Sequence, residues 1–191
     1  MRTKKLRLLA MVACAALTQS AWADSYTVDA MHSMPSFSFK HVNLSMFRGR
    51  FDKVSGIIEI DQAKHNGSAS IDIDLASVST GVPMLDQFLK GPRFFNVAQF
   101  PTATFNGAQF QFDGEQLKAV AGTLTLHGVS QPVLLAVSFY ACQMHPLLKV
   151  PACGADASVT IKRSDFGLDI MAGNDSDEVK LDLMVEALKA P

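Results

Sequence analysis

From Ser70 to Leu75 the chain reads Ser-Ile-Asp-Ile-Asp-Leu, polar and apolar in strict alternation. Successive side chains of a strand point to opposite faces, so Ile71, Ile73 and Leu75 share one side and Ser70, Asp72 and Asp74 the other. A helix cannot use this pattern, because a period of two spreads apolar groups around its whole circumference. The same beat runs through most of the chain. It sets Tyr26 with Val28, Phe37 with Phe39 and His41, Phe47 with Gly49 and Phe51, and Ile58 with Ile60. Later it sets Ala103 with Phe105, Phe110 with Phe112, and Val133 with Leu135, Val137 and Phe139. Val159, Ile161 and Arg163 follow, then Val179, Leu181, Leu183 and Val185. Polar turns separate these runs: Asp61 to Gly67, Asp113-Gly114, His127-Gly128, and Ala172 to Asp177. About eight to ten evenly spaced strands predict an all-β antiparallel barrel or sandwich. A barrel of around eight strands either fills with side chains or holds one small ligand.

One stretch breaks the beat. Met84 to Lys90 places Met84, Leu85, Phe88 and Leu89 at turn spacing, which predicts a short amphipathic helix, and Gly91-Pro92 stops it. Five of the 13 Phe fall between Leu85 and Phe105. Burying each is worth roughly 1.5–3 kcal/mol, so this segment must cover something: a packed core or a bound apolar molecule.

The first 23 residues read as an export signal. Arg2, Lys4, Lys5 and Arg7 precede the apolar run Leu8 to Leu17, and Ala21-Trp22-Ala23 is a small-x-small cleavage site. A rival reading is a lipoprotein signal ending before Cys14. Cleavage after Ala23 leaves one domain, 24–191, in the periplasm. The signal removes four of the 17 basic residues and none of the 18 acidic ones, so the mature charge is near −5. That surface has no basic stripe, which argues against a nucleic-acid partner.

Two cysteines remain, Cys142 and Cys153, with Pro146 and Pro151 in the loop between them. In an oxidising compartment such a pair is expected to form a disulfide. The alternative is a metal, with His145 as a third ligand.

Motifs for catalysis are absent: no G-x-S-x-G, no H-E-x-x-H, no phosphate loop and no glycine-rich dinucleotide turn. His32-Ser33 are adjacent, and neighbours on a strand face opposite ways. His41, on the Phe37–Phe39 face, is either a core histidine or a polar contact in a cavity. Arg163 should point inward, where a cation needs a partner; Asp165, Asp29 and Asp86 are candidates. It either closes the barrel mouth as an ion pair or anchors the head of a ligand.

Several marks together resemble the YceI-like family of exported bacterial proteins, also called lipid- or polyisoprenoid-binding. They are Y-x-x-D-x-x-H-S at Tyr26 to Ser33, F-x-F-x-H at Phe37 to His41, and G-R-F at Gly49 to Phe51. Next come S-V-x-T at Ser77 to Thr80, Phe94-Phe95, and F-P-T-A-T-F at Phe100 to Phe105. G-T-L-T-L-H-G-V-x-x-P-V at Gly122 to Val133 and K-R-S-D-F-G at Lys162 to Gly167 complete the set. The resemblance implies a lipocalin-like antiparallel barrel with one inserted helix, an apolar cavity for a long-chain isoprenoid or similar amphiphile, and no established catalysis. Many relatives carry Arg-Asp-x-His before the Phe pair. Here those places are Leu85, Asp86, Gln87 and Phe88, and Arg93 and Asn96 replace acidic residues around Phe94-Phe95.

The expected lipid site is therefore Phe37, Phe39, Phe47, Phe51, Phe88, Leu89, Phe94, Phe95, Phe105, Leu124 and Leu126. His41, Asp86 and Arg163 are its polar contacts. No metal and no cofactor is expected beyond a bound isoprenoid or quinone-like lipid. Two rivals stand beside this reading: a lipid hydrolase or isomerase with His32 or His41 as base, and a filled barrel that partners a membrane redox or stress protein. Transient membrane contact and a homodimer are further expectations. Protein recovered from the periplasm of its host should give an N-terminal sequence starting at Asp24; retention of any residue before Asp24 would refute the cleavage site.

Overall fold

The computed structural model describes residues 23–170 and 176–190. The expected signal, and most of the expected turn at 172–177, lie outside the described residues. The remainder is built mostly of strands. In order they are β1 (Asp24–Val28), β2 (Met34–His41), β3 (Ser45–Phe51), β4 (Val54–Asp61), β5 (Asn66–Asp74) and β6 (Val78–Ser79). Helix α1 (Pro83–Lys90) follows, then β7 (Thr102–Asp113), β8 (Gln116–Leu126), β9 (Val129–Met144), β10 (Pro151–Lys162) and β11 (Glu178–Lys189).

These segments make eight passes. β1 and β2 lie along one edge of β11, Thr27 opposite Leu188 and Phe37 opposite Leu181, with a short bulge between them. β3 and β4 form a second pass, kinked at Asp52-Lys53, because β2 pairs with β3 and β1 with β4. β5 and β6 form a third, broken by the 3-10 turn Leu75–Ser77. Every pass is antiparallel to its neighbours, and β11 returns to β1, so the sheet closes into an eight-stranded barrel with one inserted helix. Closure leaves no full-length sheet edge exposed.

Inward residues follow the alternation until a bulge resets it. β9 carries Leu135 inward, but Ser138 is an extra residue between Val137 and Phe139, which pair with Ala157 and Asp156. Phase is lost there. Tyr140 is buried, and Phe139, expected inside, is 57% exposed. A bulge at Ala108 likewise lets Phe105 and Phe110 face the same interior.

The cysteine stretch is not a long loop. β9 continues to Met144 and β10 begins at Pro151, so Cys142 and Cys153 are direct cross-strand partners, joined by a disulfide with Cα atoms 4.1 Å apart. His145 instead accepts the backbone N–H groups of Leu147 and Leu148 through Nδ1. Among the described residues no group of His, Cys, Asp and Glu is placed to hold a metal.

The bulge joining β1 to β2 is held by side chains. His32 Nδ1 lies 2.7 Å from Asp29 Oδ2, while the buried Ser33 hydroxyl donates to Glu186 O and accepts from Glu186 N. His32 and Ser33 therefore do not meet. The hydrogen bond to Asp29 raises the His32 pKa, and that from His32 lowers the Asp29 pKa. A raised histidine pKa stabilises below the unfolded value of about 6.5 and fades as pH rises through the folded value. A lowered Asp pKa stabilises above about 4 and fades as pH falls through the folded value. Both contributions are present between those limits.

Gly49 of β3 faces Phe37 so closely that a Cβ there would overlap the ring. The aromatic wall rests on that missing methyl.

His32→Gln should lower the melting temperature most at about pH 5–6, with a deficit that shrinks towards about pH 8–9; a deficit independent of pH would refute the ion pair. Gly49→Ala should drive the Phe37 ring off its seat and cost roughly 1–3 kcal/mol in urea unfolding.

Candidate functional site

Inside the end of the barrel that carries α1 lies a cavity of about 550 Å³, within the range of small-ligand sites. Its wall on the β2–β3 side is Phe37, Phe39, Phe47 and Phe51; Leu124 and Leu126 stand on β8, Ile161 on β10, and Arg163 opens the 3-10 turn that follows. Leu85, Phe88, Leu89, Phe94 and Phe95 line it from the helix and the loop after it. A second space of about 120 Å³ follows, lined by Phe105, Phe110, Leu117, Val120 and Tyr140 among others. Pro35, Ile73, Leu124, Leu181 and Leu183 border both spaces. The two spaces are thus neighbouring chambers with these five residues as a common border.

The lid forms because its local sequence allows little else. Pro83 sits in the first turn, where its missing N–H costs nothing, and Gly91 ends the helix. The chain then doubles back: Phe95 N–H donates to Leu89 O and Asn96 N–H to Gly91 O. This turn drops Phe94 and Phe95 beneath the helix, with their rings 5.0 Å apart edge to face. Contacts continue on both sides, Phe95 to Phe51 at 5.9 Å, Phe51 to Phe37 at 5.7 Å, and Phe94 to Phe88 at 6.0 Å. Such pairs add about 0.5–1.5 kcal/mol each beyond the area they bury. Five rings therefore connect barrel wall to lid. Met84, expected on the buried face of the helix, is 83% exposed. With only eight residues, α1 presents a narrow stripe, and Leu85 and Leu89 occupy it.

The polar residues sort differently from expectation. Arg163 does point inward and is 7% exposed. Among the described residues its partners are not carboxylates. Nη1 donates to the carbonyls of Leu168 and Ile170 at 2.7 Å each, and Nε to Ser176 O at 3.3 Å. The guanidinium also lies over the Phe94 ring at 5.9 Å, within cation–π range. Asp165 is exposed, and its backbone carbonyl accepts from Gln131. Asp29 is taken by His32. Among the described residues, Arg163 is thus held by backbone dipoles and a ring, with no carboxylate bonded to it.

Asp86 does not line the cavity. Its Oδ1 accepts from Thr80 N at 2.8 Å and Thr80 Oγ1 at 2.6 Å, which fastens the helix to the strand before it. His41 lines the cavity yet is exposed, so it stands at the mouth and not in the core. Phe105 belongs to the inner chamber.

The site also contains residues that sequence reasoning did not assign to it. Val179, Leu181 and Leu183 line it, and their alternation already marked them as inward. Leu168 and Ile170 line it too, but they follow the 3-10 turn Arg163–Phe166, where no periodic signal exists.

The profile of the YceI-like domain matches residues 26–187. A UPF0312 protein of Pseudomonas aeruginosa is 31% identical over 192 residues, which cover 99% of this chain and 100% of that one. Protein YceI of Salmonella newport is 31% identical over 175 residues, 90% of this chain and 91% of its own. Among solved structures, BcnA of Burkholderia cenocepacia superimposes with a TM-score of 0.73 at 28% identity, covering 84% of this chain and 99% of BcnA. A polyisoprenoid binding domain from Saccharophagus degradans, implicated in plant cell wall breakdown, shares the fold with a TM-score of 0.65 at 24% identity; 86% of this chain and 98% of that one are covered. A domain match spanning the barrel, and relatives aligned over nearly their whole length, mean that the chain belongs to the YceI-like family.

Proposed function

We propose that this protein is a periplasmic carrier for a long-chain amphiphilic lipid, isoprenoid or quinone-like, whose tail occupies the two chambers and whose head stays at the mouth near Arg163 and His41. The observation that carries this reading is the hollow itself. An eight-stranded barrel can fill its interior with its own side chains, and this one leaves about 550 Å³ enclosed by apolar groups under an aromatic lid. A hydrocarbon tail gains roughly 0.8 kcal/mol for each CH₂ removed from water, before the costs of association. The solved neighbour described as polyisoprenoid-binding has the same fold and supports the ligand class. Arg163 favours a head with acceptor oxygens, because a cation facing an apolar space is best matched by an anion or a strong dipole.

A carrier needs no activated nucleophile. The geometry supports that side of the reading: the Ser33 hydroxyl is held by Glu186 backbone, and His32 is paired with Asp29 on the outside of the barrel. The enzyme alternative would rest on His41, and its mark would be a product that vanishes in His41→Ala.

Protein purified from its own periplasm should carry an extractable prenyl or similar long-chain lipid, identified by mass spectrometry. Phe88→Asp should reduce the retained lipid about tenfold or more with the fold intact by far-UV circular dichroism. Empty protein that also refuses prenyl lipids in solution would sink the carrier reading and leave a partner-binding barrel.

A further inference from the structure

We propose that the rim of the cavity mouth is a surface for docking on an anionic lipid bilayer, so that ligand passes between membrane and barrel without crossing water. This rests on the carrier reading above. The β2–β3 turn, His41 to Leu44, is closed by the Leu44 N–H donating to His41 O. Its central residues, Val42 and Asn43, have φ of 43° and 58°. A two-residue turn of this hand favours Asn-Gly, and a β-branched residue there is an outlier. The turn nonetheless holds Val42 outward at 42% exposure, beside Leu44 at 86%. Across the mouth, the start of the lid presents Val82 at 46% and Met84 at 83%. These four side chains flank His41, Phe47 and Phe88, which line the cavity. Exposed apolar side chains therefore lead from the outer rim to the lining of the hollow, and exposed apolar patches of this kind mark interaction sites.

Charge selects the partner. Lys40 and Arg48 stand on either side of the hairpin tip, and Arg93 lies just beyond α1; all three are exposed. The acidic groups on the same two segments are engaged, Asp52 by Arg50 and Asp86 by Thr80. Apolar tips set among cations fit the interface of an anionic bilayer. On the β10–β11 connection, the described carboxylates Asp165 and Asp169 are exposed, and Asp177 accepts from the Ser164 backbone N–H and hydroxyl. Neither Leu44 nor Met84 lines the cavity, so changing them tests docking apart from ligand binding.

The test is flotation of the whole mature protein with vesicles of phosphatidylethanolamine and phosphatidylglycerol, and separately of phosphatidylcholine alone. Binding should favour the anionic vesicles and weaken with salt. The double variant Leu44→Asp, Met84→Asp should lose about tenfold or more of the partitioning, while its affinity for a prenyl alcohol in detergent-free solution stays at the wild-type value. Wild-type protein that ignores both vesicles, or a double variant that floats equally well, overturns the proposal. So does a wild-type dimer in solution that the same two substitutions convert to monomer, since the rim would then face a second copy. Failure of prenyl alcohol binding with vesicle binding intact would strike the carrier reading alone.

Discussion

β11 holds the sheet shut. One of its edges pairs with β10 along eleven residues, and the other is shared by β2 and β1 in turn. That shared edge is why eleven hydrogen-bonded segments amount to eight passes. It also determines what the interior is. With eight strands, the circumference is too large for small side chains to meet across the middle and small enough for aromatic ones to nearly do so. The structure uses both regimes. Towards the disulfide end, Phe112 stacks against His65 and meets Tyr140 edge to face, and the space shrinks. Towards the helix end the wall aromatics tilt against one another around the hollow, and the gap is capped by the lid.

Asp86 and Arg163 show how the lid is kept in place without being welded. One attaches the helix to Thr80 through two hydrogen bonds, and the other meets the loop through the face of Phe94. Neither is a buried ion pair between lid and wall, whose rupture would cost several kcal/mol. Apolar contact supplies the rest, and such contact can be exchanged for contact with a bound tail at little net cost.

Much of this could be read from residue order. The inward identities of Phe37, Phe39, Ile71, Ile73, Leu181 and Arg163 came from parity alone, and the helix from four apolar residues and a Gly-Pro stop. The eight-pass barrel and its hollow needed the family resemblance, because alternation is the same in a filled barrel and an empty one. What parity could not reveal were its own interruptions. Ser138 and Ala108 are ordinary residues, and nothing in their chemistry announces a bulge, so parity places Phe139 on the wrong face. Partners of polar groups were also hidden. Pairing Arg163 with Asp165 looked reasonable because the two are close in sequence; the 3-10 turn that follows turns the carboxylate out and brings the carbonyls of Leu168 and Ile170 in. Asp86 matched the family pattern and yet bonds to Thr80, a contact six residues back across a turn that has no periodic signature.

The covalent bond between Cys142 and Cys153 lies far from the lid, between strands that are already hydrogen-bonded to each other. A staple there forbids the two staves from parting at the foot of the cask. Any widening that admits a bulky guest is then best taken up at the rim, by the hairpin and the short helix, so the molecule is stiff where it needs no door and compliant where it does.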